Sequence, residues 1–209
     1  MKLDHYIKIS ELFQYPGEEL TQTALDFKKT VSISIPGCLE EYQIFLKAIQ
    51  ALNFKQQQEY YMKTFDVQAI CHLDIGYLIF GEDYKRAQLL VNLQNEHLKA
   101  GIDCGSELGD HLPNVLKLLA STTDKEFLEE LGFIITSPAV RFMISKFKDS
   151  DNYYKHLLEV LSAFLLWDFK GEGLAKYAFP EEALNGDNEF IMPSAKSDIC
   201  QSHCKSKNF

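Results

Sequence analysis

Residues Glu107 to Ala120 read ELGDHLPNVLKLLA: an acid, a histidine and a proline stand directly before an apolar stripe. Leu112, Val115, Leu116 and Leu119 recur at i, i+3, i+4 and i+7, the spacing that turns one side of an α-helix toward a core. Asp110 followed by Pro113 supplies a helix start with a mechanism. An aspartate accepts the free N–H groups of a first turn, and a proline there loses no hydrogen bond. On this reading Asp110 is the cap and His111 an exposed imidazole beside a carboxylate, a group suited to partner recognition or proton sensing.

Working outward, the same periodicity recurs along the chain and predicts an all-α, single-domain helical bundle. Helices are expected over Asp4 to Phe13, stopped by Pro16-Gly17, then Glu18 to Lys29, Leu39 to Leu52 and Lys55 to Thr64. The next is expected to begin near Asp66, acting as a cap, and to run to Phe80, with Gly81 ending it; Tyr84 to Ala100 follows, ended by Gly101. Asp124 to Leu131, Pro138 to Lys148 and Asp151 to Trp167 complete the set. Strict period-two alternation is nearly absent, its best candidate being VSISI at Val31 to Ile35. After Trp167 the composition turns to Gly, Pro, Asn and Ser, so 1–167 is expected as the helical domain and 168–209 as a mostly irregular tail.

Composition narrows the function classes. The 209 residues are 46% hydrophobic and 24% charged, ordinary for a globular chain, and no apolar run approaches the roughly 20 residues that span a bilayer. The N-terminus MKLDHYIKISELF lacks the long apolar segment of a secretory signal, and five cysteines in no regular framework fit reduced thiols; both point to the cytoplasm. A net charge of −9 argues against nucleic acid, whose binding needs clustered Lys and Arg, and is compatible with a cationic peptide.

No phosphate loop, nucleophile elbow or zinc-protease helix is present, so no cofactor is expected and an enzyme is disfavoured. Cys200, His203 and Cys204 form a C-x2-H-C cluster, one donor short of a closed metal site, with exposed tail thiols as its ordinary reading; no metal site is assigned. Asp66, Asp74, Asp110 and His111 offer a carboxylate–imidazole combination for acid/base chemistry, against which helix capping explains Asp66 and Asp110 equally well. Tyr60, Tyr61, Phe65, Tyr77, Phe80 and Tyr84 suit either core packing or a peptide groove. Arg86 reads in isolation as a solvated charge pairing with Glu82 at i+4.

Taken in order, the pieces from Glu59 to Ala120 resemble the NarJ branch of the NarJ/TorD/DmsD family of molybdoenzyme assembly chaperones. The resemblance rests on YYMKTFD at Tyr60 to Asp66, HLDIGYLIFGE, RAQLLVNLQNEHLKAG and the ELGDHLP segment with its leucine helix. Four departures stand out: Arg86-Ala87 where relatives have Arg-Gly, His97 for a tyrosine, Gly109 for a proline and Lys117 for an acid. The resemblance implies a non-enzymatic chaperone. Its partner would be the N-terminal peptide of a molybdoenzyme catalytic subunit of nitrate reductase type, and it would act with molybdenum cofactor biosynthesis proteins during cofactor insertion. It also implies a peptide-binding surface at Asp110, His111, Leu112 and Pro113, with Tyr61 and Phe65 as groove aromatics and Asp66 and Arg86 shaping the site. A permanent reductase subunit and a small helical enzyme using Asp66, Asp110 and His111 are the alternatives.

Overall fold

The structure, a computed structural model, describes residues 3–148 and 150–171. It is all-α, as the periodicity predicts. Helix α1 spans His5–Leu12, α2 Leu20–Ser34, α3 Leu39–Ala51, α4 Phe54–Phe65, α5 Ile75–Phe80 and α6 Tyr84–Ala100; α7 spans Leu112–Ser121, α8 Lys125–Glu129, α9 Ser137–Lys146 and α10 Tyr153–Asp168. No strand forms among the described residues, and an isolated antiparallel bridge joins Asp74 to His111.

The core is built around α10. Tyr153, Tyr154, Leu157, Leu158, Val160, Leu161, Phe164 and Leu165 are all buried, which leaves this helix little polar surface and places it at the centre of the bundle. Helix α10 packs on α3 and α9, α1 packs on α7, and α2 on α3. Asn152 starts α10 by accepting the Tyr154 N–H, and its amide donates 2.9 Å to Thr64 Oγ1, tying α10 to the end of α4. His5 meets Asp168 at 2.7 Å, so α1 and α10 are joined across 163 residues.

Several expected boundaries move, each for a local reason. VSISI is not extended: α2 continues through Ser34 because Ala24, Phe27 and Val31 share its buried face, while Ile33 points to solvent at 69% exposure. Helix α4 starts at Phe54 because Asn53 and Gln56 form a reciprocal capping box. Asp66 opens no helix. It closes α4, and a turn with Gln68 at φ 56° follows before α5 starts at Ile75. Between α8 and α9 the helix widens into a π-helical stretch, Glu130–Thr136, in place of a break. Pro138, which has no N–H to give, falls where the chain returns to α geometry. Beyond 168–171, the expected tail and its Cys200, His203 and Cys204 cluster lie outside the described residues.

Candidate functional site

Two extended segments carry the site. Residues preceding α5 and residues preceding α7 lie antiparallel, with the Ile75 N–H donating to the Asp110 carbonyl at 3.0 Å and the Leu112 N–H to the Leu73 carbonyl at 2.8 Å. The pairing settles the roles of Asp110 and His111. Asp110 is not the cap of α7: the cap position is His111, and neither side chain bonds the first turn. Asp110 is fully buried and receives Arg86, whose Nε donates to Oδ2 at 2.9 Å and Nη2 to Oδ1 at 3.5 Å. Arg86 is therefore not a solvated partner of Glu82. Its guanidinium also lies 5.3 Å from the Tyr77 ring centre, and its side chain is only 19% exposed.

Gly76 makes this ion pair sterically possible. A Cβ at that position would stand 2.6 Å from Asp110 Oδ2 and 3.1 Å from Leu89 Cδ2. The close approach of α5 to the carboxylate thus requires a residue without a side chain.

His111 faces the other way and is half-buried. Its Nδ1 lies 3.4 Å from Asp74 Oδ1 and 4.0 Å from Glu107 Oε2. The His111 hydrogen bond, followed by the charges of His111, Arg86 and His72, holds the Asp74 carboxyl below its usual range, against the opposing effect of burial. Asn114, on the first turn of α7, donates to the Leu108 and Cys104 carbonyls at 3.1 and 3.3 Å and so fastens the loop that leads into the site. His97 is buried between the Leu93 carbonyl at 2.6 Å and the Asn114 carbonyl at 3.2 Å. Gly109 rests on the same two α6 residues, its would-be Cβ 3.4 Å from Leu93 Cβ and 3.7 Å from the His97 ring.

Beside the paired segments opens a cleft of about 610 Å³. Of the expected site residues, it gathers Tyr61, Phe65, Asp66, His111 and Pro113. Asp110 and Leu112 have no exposed area, and neither they nor Arg86 line it. Tyr61 and Phe65 belong to both readings offered for the aromatics: they are mostly buried, packed against Tyr154 at 5.9 and 4.8 Å, yet present an edge to the cleft. Sequence reasoning missed Tyr15, 53% exposed and edge-on to Tyr61 at 5.7 Å, because it sits in a turn far from the Glu59–Ala120 block. Asp74, Asp103 and Glu107 join Asp66 on the lining, and Lys117 is the lysine among them. Four carboxylates against one ammonium give the cleft an acidic character suited to a cationic segment.

Fold and site together define an all-α bundle with an acid-lined cleft built over a buried Arg–Asp pair. No family model matches the chain. Among curated proteins it is similar to the nitrate reductase molybdenum cofactor assembly chaperone NarJ of Escherichia coli K12 and of Escherichia coli O157:H7, in each case 26% identical over 157 residues. The alignment covers 73% of this chain and 66% of the relative, slightly under two thirds of its length. The chain is thus NarJ-like in sequence, as the ordered motifs from Glu59 to Ala120 imply.

Proposed function

We propose that the protein is a client-specific assembly chaperone that holds the N-terminal segment of a molybdoenzyme catalytic subunit of nitrate reductase type while the molybdenum cofactor is inserted. The observation that carries this reading is the acid-lined cleft, which joins aromatics of α4 to the segment before α7. Its similarity to NarJ gives the client class. A peptide lays apolar anchors against Tyr15, Tyr61 and Phe65, and its basic groups meet Asp66, Asp74 and Glu107. His111, beside Asp74, and Pro113 complete the lining. The buried Arg86–Asp110 pair and Leu112 support the segment that carries them. The role needs binding and release, with no bond made or broken in the client, and the proposal places it in the cytoplasm. Among the described residues no helix is long and apolar enough to cross a membrane.

Calorimetric titration of the full chain with a synthetic peptide of the client's N-terminus tests the reading. His111→Ala and Tyr15→Ala, both on the lining and outside the buried ion pair, are expected to weaken binding by about 1–2 kcal/mol each while the fold survives. Equal binding by wild type and both variants, or no binding by any, overturns the assignment.

A further inference from the structure

A second cluster shares no residue with the cleft. Cys38 and Glu41 lie at the start of α3, and His156 and Glu159 lie one turn apart on α10, the helix packed against it. Residues at i and i+3 share a helix face, so His156 and Glu159 both turn toward α3. His156 Nδ1 is hydrogen-bonded to Glu41 Oε2 and lies 3.6 Å from Glu159 Oε2. The ligand atoms of Glu41, His156 and Glu159 all fall within 4.8 Å of one another. All three side chains retain a path to solvent, at 40%, 21% and 33% exposure.

The arrangement is electrostatically uneven. Two carboxylates converge on one imidazole, and the Glu159 carboxyl is raised, first by burial and then by Glu41 facing it; Glu41 is lowered, chiefly by the His156 hydrogen bond. The neighbouring cation, Lys155, donates its ammonium to the Lys148 carbonyl at 2.8 Å, and its charge is the weakest of the influences that lower the two carboxyls. Two oxygen donors and one imidazole nitrogen from two helices, with an open side, form the donor set that borderline divalent cations take up. A dication would offset the repulsion between the two carboxylates.

We infer that Glu41, His156 and Glu159 form a binding site for a divalent transition-metal ion of the zinc class, clipping α3 to α10, with the remaining coordination position open to solvent. The cation is held through the imidazole lone pair of His156 and the carboxylate oxygens of Glu41 and Glu159.

Titration with Zn²⁺ at pH 7.5 tests this in the full chain carrying Cys200→Ser, His203→Ala and Cys204→Ser, which removes the tail donors. One Zn²⁺ per chain is expected. Glu159→Gln, which keeps the shape of the side chain, and His156→Ala are each expected to weaken it at least about tenfold. Zn²⁺ should also raise the melting temperature of the tail-substituted chain and not that of the His156→Ala form. Unchanged affinity in the Glu159→Gln form, or no stoichiometric Zn²⁺ uptake by the tail-substituted chain, overturns the inference. Circular dichroism of each variant separates loss of metal from loss of fold.

Discussion

Asp110 and Arg86 illustrate how strongly burial alters the meaning of a charged residue. With Asp110 fully buried, removing the Arg86 guanidinium leaves an uncompensated carboxylate inside the protein. Arg86→Ala is expected to cost about 3–5 kcal/mol, read as a lowered denaturation midpoint in urea. Gly76→Ala acts on the same pair by sterics. Its new methyl would press on the carboxylate and on Leu89, with an expected loss of about 1–3 kcal/mol by the same measurement. A Gly76→Ala protein as stable as wild type would show that the carboxylate can retreat, and that the contact is not restrictive. Both substitutions act on the fold before they act on any partner, so His111, Tyr15 and Lys117 are the informative positions for binding. The order D-H-L-P in the sequence exposed this locus, and the family resemblance marked Arg86 for it. That Arg86 reaches Asp110, 24 residues away, was not legible, because a helical pattern reports spacing along one element and not which charges meet between elements.

At the scale of the element, the paired segments before α5 and α7 form the unit to perturb. Asp74 has its carboxyl lowered, so its ionised form is bound more tightly in the folded chain than in the unfolded one. A depressed carboxyl contributes stability at pH values above its unfolded pKa of about 4, and that contribution is lost as pH falls through the folded value. Asp74→Asn is therefore expected to flatten the acid limb of the stability profile below about pH 4 relative to wild type, as followed by thermal melts at successive pH values. An unchanged acid limb would remove Asp74 as its source. The π-helical stretch offers a second element-scale case. A Cβ on Gly132 would lie 2.5 Å from the Phe169 ring, so the wide turn seats the residue that caps α10. Helix existence was readable almost throughout from apolar spacing. The bridge, the wide turn and the continuation of α2 through VSISI were not, since each depends on what packs against the segment.

For the whole molecule, the net charge of −9 and the four carboxylates about one lysine in the cleft give the proposed peptide binding a definite salt response. Exposed charges interact over a screening length that falls from about 10 Å at 0.1 M salt to about 3 Å at 1 M. Attraction of a cationic client segment should therefore weaken across that range, mainly through a slower association rate, whereas the contacts to Tyr15, Tyr61 and Phe65 should persist. Lys117 sharpens the expectation. It stands where the resemblance implies an acid, half-buried on α7 with its neighbours buried, and it is the lysine among the lining carboxylates. Lys117→Glu introduces an acid and changes the local charge by two. If the cleft selects cationic segments, this variant should bind the client peptide more tightly by up to about 1 kcal/mol at low salt, with the gain vanishing at 1 M. Stopped-flow association and calorimetry at both salt concentrations read the two parts separately. Weaker binding by Lys117→Glu at low salt would mean that Lys117 itself contacts an acidic group on the client, and would reverse the charge complementarity assigned to this face.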